Sequence, residues 1–217
     1  MKQRYVRVRY DRELNSRWLK HWSEPGVGET ITYRSLSAGR HGQMIERCTS
    51  TARKLANPGY TEARSKFESF QHFVCWSRGQ YGYDLDNASW CLDKDILVIG
   101  NSDYGPATCL FVPQELNKFF CTGGAQKLPY PDPAMSDIPF VGWSISKQCF
   151  KVQCGKNNSS YFADPYEAHA WWQVQKIAKA LQFRIKYSAH VRLVGALDER
   201  MERCLGDLRH GRLTPRF

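Results

Sequence analysis

The helix start at Asp164-Pro165-Tyr166-Glu167 constrains the fold of this chain more than any other segment. Aspartate caps the first backbone amides of a helix, and proline is favoured at the first helical position because no amide hydrogen bond is lost there. The glutamate three residues after the aspartate completes a capping box. The sequence therefore predicts a helix from about residue 165. The helix has an apolar stripe, which is predicted to lie across the preceding strands. The residues of this stripe are Trp171, Val174, Ile177, Ala178 and Leu181.

Three short segments before this helix predict a small antiparallel sheet. Residues 140–146, 149–154 and 159–162 are β-prone, and turn residues separate the last two segments. In the second segment, a period of two places Phe150 and Val152 on one face, and Lys151 and Gln153 on the other. We therefore expect a three-stranded sheet packed on one helix, with a polar sheet face left open.

The charge balance favours an anionic partner. The chain has 31 Lys and Arg residues against 21 acidic residues, a formal net charge of +10 and a pI near 9.3. Phosphate backbones are a common partner of such a surface, although charge alone does not identify one. There is no apolar run typical of a signal peptide or a membrane span, and the eight cysteines are scattered. We expect a cytoplasmic protein with reduced thiols, no membrane partner and no small-molecule cofactor.

The predicted fold class is α+β with two modules. A helix is expected from Ser37 to the turn at Asn57-Pro58-Gly59, and apolar spacing predicts another over residues 67–76. Proline and glycine residues indicate a linker over residues 123–139. Near the start of the sequence, Arg4, Arg7 and Arg9 lie in a basic arm suited to phosphate contacts. The predicted divisions are a basic arm (1–30), a ββα domain with helical scaffold (31–122), a linker (123–139), a sheet-plus-helix domain (140–183) and a basic extension with a frayed end (184–217).

The sheet-plus-helix segment resembles a known DNA-binding domain. Gly142-Trp143, residues 150–153 and residues 161–170 are similar to the ethylene-response-factor-type domain of plant transcription factors, in its phage and bacterial versions. The resemblance implies that the open sheet face enters the major groove of double-stranded DNA. Arginine and tryptophan are more usual at these positions, so we expect binding with weak base readout. The implied DNA contacts are Ser144, Ser146, Lys147, Lys151, Gln153 and Lys156.

The central segment predicts a strand at 90–97, a polar loop at Gly100-Asn101, and then a second strand and a helix within residues 104–117. This ββα order resembles the HNH (His-Me finger) endonuclease module of phage homing-type proteins, and the resemblance covers residues 33–182. It implies that Cys91 stands at the position of the general-base histidine and Thr108 at that of the orienting asparagine, while Asn117 matches the final asparagine. Lys94 joins the predicted DNA contacts.

Strand alternation places Cys91, Asp93 and Asp95 on one face of the first strand. There the two carboxylates, with Asn117, would hold Mg²⁺ or another divalent cation. The other interpretation is a strand end at which Asp93 and Asp95 cap loop amides. Cysteine is a poor base for activating water, because little of it is thiolate at neutral pH.

Two functions remain open at this point. One is a metal-dependent DNA endonuclease with a degenerate motif, in which Asp93 takes part in catalysis. The other is a non-catalytic DNA-binding or host-interacting protein, regulatory or inhibitory, acting in the host cytoplasm if phage-encoded. RNA binding ranks lower, because the predicted strands lack the paired exposed aromatic residues that single-strand recognition employs.

Overall fold

The computed structural model of the chain describes residues 37–82, 90–120, 138–155 and 158–217, together with residues 22–23 and 30–31. It divides into two compact units, Met1–Gln114 and Glu115–Phe217. The fold is mixed α+β, as predicted. Among the described helices, none combines the length and apolar character needed to cross a membrane. Several predictions lie outside the described residues: most of the basic arm with Arg4, Arg7 and Arg9, nearly all of the linker, and Lys156.

The first unit begins with short strands and helices. Strands β1 (Trp22–Ser23) and β2 (Thr30–Ile31) pair antiparallel. Instead of one helix up to Asn57, helices α1 (Ser37–Thr49) and α2 (Thr51–Ala56) follow each other, and a 3₁₀ turn at Pro58–Tyr60 comes next. The break occurs because Ser50 has an extended backbone and its side chain caps α2, accepting a hydrogen bond from the Arg53 amide at 3.3 Å.

Strand β3 (Arg64–Ser65) leads to helix α3 (Phe70–Arg78), which the apolar spacing predicted. The helix begins three residues later than the predicted segment, because Ser69 caps it and accepts a hydrogen bond from the His72 amide at 3.1 Å. Phe67 lies before the helix but is still buried and packs on Phe73, with ring centroids 5.1 Å apart. The predicted apolar residues thus form part of the core, although not all of them are helical.

The rest of the first unit holds strands β4 (Trp90–Asp93), β5 (Asp103–Tyr104) and β6 (Leu110–Pro113). Strand β3 pairs parallel with β5, and β4 pairs antiparallel with β6, so that Cys91 lies opposite Val112. Helix α4 (Gln114–Phe120) follows β6 directly along the chain. The predicted first strand (90–97) ends at Asp93, and two short strands, β5 and β6, stand where one second strand was predicted. Strands β4 and β6 with helix α4 keep the predicted order along the chain, but this order does not by itself identify an HNH module.

The second unit contains the predicted meander. Strands β7 (Val141–Ser144), β8 (Cys149–Gln153) and β9 (Ser159–Phe162) form an antiparallel sheet in sequence order. Helix α5 (Pro165–Lys186) begins where the capping residues predicted, and the Asp164 side chain accepts a hydrogen bond from the Tyr166 amide at 3.0 Å. Helix α5 packs on the sheet and along α6 (Val191–Arg209).

The predicted packing face of α5 is wrong. Val174 and Leu181 are each 47% exposed, and Ala178 is exposed as well. The helix contacts α6 in addition to the sheet, and this second neighbour rotates the buried face away from the predicted stripe. Polar residues are buried with the apolar ones, because they form hydrogen bonds with distant parts of the unit. The buried positions of α5 are Pro165, Ala168, His169, Trp172, Gln173, Lys176, Ala180 and Phe183.

The closing segment (residues 212–217) is packed, contrary to the frayed end that its polar composition predicted. Thr214 is fully buried, and its amide donates a hydrogen bond to His169 Nε2 at 2.9 Å. The Gln173 side-chain amide donates to the Arg212 carbonyl at 3.0 Å. Phe217 is 2% exposed, and its ring centroid lies 5.4 Å from that of Phe119 on α4. These contacts make the segment part of the core of the second unit.

Candidate nucleic-acid interface

The three-stranded sheet has one apolar and one polar face. Val141 pairs with Val152, and both side chains are buried on the side of the sheet that carries α5. On the opposite side, Gly142, Lys151 and Tyr161 are aligned across the three strands. Because side chains alternate along a strand, Gln153 shares the face of Lys151. Both are exposed, as the sequence predicted.

A tyrosine that was not among the predicted DNA contacts lies on the polar face, on the edge strand β9. Tyr161 is 38% exposed and pairs with Lys151 across β8 and β9. Lys147, in the turn between β7 and β8, places its ammonium 3.6 Å from the centroid of the Tyr161 ring. This cation–π contact holds one of the predicted phosphate-binding lysines against the sheet. The alternation of Tyr161 with Phe162 was a signal for this position, but β9 is too short for the pattern to be convincing.

The predicted serine contacts lie at the β7 end of the polar face. Ser144 is half-buried at the end of β7, Ser146 is exposed in the turn, and their hydroxyl oxygens are 3.4 Å apart. The turn is fixed by a hydrogen bond from the Gln148 side-chain amide to the Ile145 carbonyl at 2.9 Å. We define the outward sheet face as the set Ser144, Ser146, Lys147, Lys151, Gln153 and Tyr161.

The electrostatics of the outward sheet face are positive. Residues 138–163 include lysines at 147, 151 and 156 and no aspartate or glutamate. The nearest acidic residue after the sheet, Asp164, has its carboxylate turned to the first turn of α5, where it caps the Tyr166 amide. A positive surface without competing carboxylates attracts polyanions in a salt-dependent manner.

The carboxylate of Asp93 stabilises a loop. Its Oδ1 accepts hydrogen bonds from the amides of Asp95 and Ile96, both at 2.8 Å. Burial raises the pKa of Asp93 above its ordinary value, although the two amide donors act in the opposite direction. Cys91 and Asp93 share a face of β4, as predicted, with Trp90 and Leu92 on the buried face. Asp95 does not share it, because β4 ends at Asp93. The structure therefore gives Asp93 the capping contacts that the second interpretation of the sequence describes.

The buried side chain of Lys94 forms an ion pair with the exposed side chain of Asp95. The Lys94 ammonium lies 2.8 Å from Asp95 Oδ1 and donates a further hydrogen bond to the Asn101 carbonyl. The Lys94 side chain is 4% exposed. Lys94 was predicted to contact DNA, but in this position its charge is turned inward and paired, and we leave it out of the interface. Asp95, a predicted metal ligand, is engaged by the same ammonium.

Thr108, another predicted catalytic residue, also has structural contacts. Thr108 Oγ1 donates to the Asp103 carbonyl at 2.7 Å and accepts from the Gly105 amide at 3.1 Å, which closes the loop before β6. Asn117 is half-buried on α4, in the second unit. Within the ranges that the structure describes, no three His, Cys, Asp or Glu side chains are grouped so as to hold a metal ion. The predicted Mg²⁺ site includes Asn117, a residue type outside that grouping, and it stays a prediction.

A buried histidine in the first unit had no sequence signal. His41 on α1 is 2% exposed, and its ring lies 5.1 Å from that of Phe70 and 5.2 Å from that of Phe73. Burial lowers the pKa of His41 from 6.5 to about 4, because the protonated ring is poorly solvated there. The unfolded chain therefore binds a proton at this residue at higher pH than the folded chain does, and folding stability must fall as the pH drops below 6.5.

Between pH 7.5 and pH 5, we expect His41 to lower the free energy of unfolding by about 2 kcal/mol. Urea denaturation at both pH values measures this loss in the wild type and in His41→Phe, which keeps a ring between the two phenylalanines but has no proton to bind. The variant should show a smaller pH dependence by about that amount. An equal pH dependence in the two proteins would show that His41 is not the group responsible.

No family model, curated protein or solved structure matches the chain. The resemblances to HNH endonucleases and to the ethylene-response-factor-type domain therefore remain predictions from sequence motifs. The functional argument depends on the described residues themselves.

Proposed function

We propose that the protein binds duplex DNA through the outward sheet face. The observation that carries the proposal is the strand register, which aligns Lys151 with Tyr161 on the side of the sheet opposite α5 and keeps Gln153 on the same side. A sheet whose other face is buried against a helix is a rigid platform. Its exposed lysines neutralise phosphates without rearrangement of the backbone.

The chemistry of this face supports affinity more than base readout. Lysine acts as a point charge on phosphate, whereas the bidentate contacts that distinguish guanine are made best by arginine, and the described part of the face has none. Gln153 is the residue with the geometry to pair with adenine, and its side-chain amide already donates to the Gly155 carbonyl at 2.8 Å. We therefore propose binding with modest sequence preference.

We further propose that the protein holds DNA without cutting it. The contacts of Asp93 and Asp95 favour this alternative, since the first carboxylate caps two loop amides and the second pairs with Lys94. A carboxylate already occupied in this way would have to give up those bonds before it could bind a cation. Each such exchange has an energetic cost, because the amides and the buried ammonium would lose their partners.

Fluorescence anisotropy with labelled duplexes of several unrelated sequences tests the binding proposal. We expect the affinity to fall steeply between about 50 and about 200 mM salt, as counterion release requires. Lys151→Ala should weaken binding about threefold to tenfold on every duplex and reduce the salt slope by about one phosphate contact. A single-stranded RNA competitor distinguishes duplex DNA from the RNA alternative.

The matched control is Lys179→Ala, which removes an exposed lysine of the same unit from helix α5 rather than from the outward sheet face. It should change the affinity less than Lys151→Ala does. An affinity that is independent of salt, or equal losses in the two variants, would refute the proposed interface. Stronger competition by RNA than by duplex DNA would refute the proposed ligand.

A nicking assay on supercoiled DNA with Mg²⁺ or Mn²⁺ tests the non-catalytic part of the proposal. We expect the wild type to convert no more DNA to the open circular form than Asp93→Ala and Asn117→Ala do. Cleavage by the wild type that both substitutions abolish would establish the endonuclease instead. The binding proposal would survive that result, because it depends on the sheet and not on β4.

A further inference from the structure

His169 on α5 is buried, and both of its ring nitrogens are hydrogen-bonded to backbone groups. The residue is 1% exposed. Nδ1 lies 2.9 Å from the Pro139 carbonyl oxygen, which can only accept a hydrogen bond. Nε2 lies 2.9 Å from the Thr214 amide nitrogen, which can only donate one. The two partners therefore require a neutral ring, with its hydrogen on Nδ1 and the lone pair of Nε2 directed at Thr214.

Thr214 attaches the closing segment to the helices of the second unit. Its side chain is fully buried, and its hydroxyl accepts a hydrogen bond from the Gln173 side-chain amide at 2.8 Å. The same hydroxyl donates to Asp207 Oδ2 at 3.0 Å, and the Cys204 sulfur lies 3.8 Å from it. The backbone amide of Thr214 has His169 as its acceptor. Loss of that acceptor would leave a buried donor without a partner, which costs free energy.

We propose that protonation of His169 releases the closing segment, so that this contact acts as an acid-sensitive switch in the second unit. A protonated ring carries a hydrogen on Nε2 as well as on Nδ1. The Nε2 hydrogen then faces the amide hydrogen of Thr214, and two donors cannot bond to each other. Because the site is buried, both donors reach water only when the segment moves away from α5.

The groups around the ring determine how readily it is protonated. Burial lowers the pKa of His169 below its ordinary value, while the hydrogen bond to the Pro139 carbonyl and the charge of Asp207 on α6 act in the opposite direction. The effect of Asp207 is reduced because Arg212, in the closing segment, lies with its Nε 3.2 Å from Asp207 Oδ1. On its own helix, the ring of His169 stacks on Trp172, with centroids 5.4 Å apart. The neutral form is therefore favoured while the segment is packed.

The direction of the pH dependence follows from this difference. We call the packed arrangement the closed state and the detached one the released state, in which His169 is in water and has an ordinary pKa near 6.5. The closed state binds a proton less readily, so it is fully favoured above pH 6.5 and loses stability as the pH falls below that value. The closing equilibrium should weaken by up to about tenfold per pH unit, down to the pKa of the closed state.

Hydrogen exchange of the full chain without DNA, between about pH 7.5 and about pH 4.5, tests the proposal. After correction for the intrinsic pH dependence of exchange, protection of residues 212–217 should fall by up to about tenfold per pH unit, while α5 and α6 stay protected. His169→Gln should keep the segment protected throughout, because its carbonyl oxygen accepts from the Thr214 amide and binds no proton in this range. The matched control is His210→Gln, the same change at an exposed histidine just after α6, which should respond like the wild type.

A second measurement needs no variant. Nitrogen–proton correlations of the histidine rings in the wild type should place the hydrogen of His169 on Nδ1 at neutral pH, and the Thr214 amide signal should shift with the same midpoint as that ring. A hydrogen on Nε2 at neutral pH would overturn the proposal, as would a protection of the segment that does not change with pH. Equal loss of protection in α5 and α6 would mean unfolding of the whole unit and would also overturn it. So would a His169→Gln variant that keeps the pH response of the wild type.

Discussion

Replacing Phe217 with alanine is expected to destabilise the second unit by about 3–5 kcal/mol. The ring is 2% exposed and lies between α4 and α5, with the Phe119 centroid at 5.4 Å and the Lys176 ammonium at 5.6 Å from its centroid. Truncation leaves a cavity among side chains that helices hold in place, so that little of the lost packing is recovered. Urea denaturation monitored by tryptophan fluorescence measures the change.

Two variants show whether the effect comes from packing. Phe217→Leu keeps most of the apolar volume and should destabilise the unit by less than about 1.5 kcal/mol. Arg216→Ala removes an exposed side chain from the neighbouring position and should change the stability by no more than about 0.5 kcal/mol. If Phe217→Ala were as mild as Arg216→Ala, the closing segment would not be part of the folded core in solution.

The start of α5 could be predicted because its determinants are local. Asp164 caps an amide only two residues away, and proline at the next position has its backbone angle fixed in advance. The three strands were predictable for a similar reason, since each alternation of apolar and polar side chains lies within a few residues. Such signals need no knowledge of what packs on the segment.

The buried face of α5 could not be predicted, because it is determined by distant residues. His169, Gln173 and Lys176 have the composition of a solvent side, yet each is buried. Their partners are the Pro139 carbonyl, the Thr214 hydroxyl and the Phe119 carbonyl, which lie 30, 41 and 57 positions away along the chain. Periodicity located the apolar stripe correctly but could not show that these polar contacts would turn it outward.

For the candidate site residues as well, local features could be predicted and contacts with distant residues could not. Strand alternation placed Cys91 with Asp93, and Lys151 with Gln153, as the structure does. The sequence allowed two roles for Asp93, as a metal ligand or as a cap of the loop that follows it. The role depends on the path of that loop, and the residue types in the strand do not specify this path. The contact of Lys147 with Tyr161 depends on the register of β8 against β9, and a four-residue strand encodes register weakly.

Reversing the charge of both lysines on the outward sheet face, with Lys147→Glu and Lys151→Glu, is expected to weaken duplex binding by about 100-fold or more. Each substitution removes a phosphate contact and adds a carboxylate that repels the same phosphate. Lys147→Glu also removes the cation from the Tyr161 ring, where its ammonium lies 3.6 Å from the centroid. Anisotropy titrations at low salt measure the loss, and circular dichroism verifies that the sheet remains folded, since both side chains are exposed.

The control for this experiment has to separate the outward sheet face from the net charge of the whole protein. Lys179→Glu with Arg209→Glu makes the same change in net charge at two exposed residues, on α5 and α6. Long-range attraction depends on total charge, and we expect it to fall equally in both double variants, whereas direct phosphate contacts are lost only in the first. If the two double variants bound DNA equally weakly, the affinity would come from the formal net charge of +10 and not from the outward sheet face. The strand register requires that the affinities of the two double variants differ by about tenfold or more, and that this difference is the same on unrelated duplex sequences.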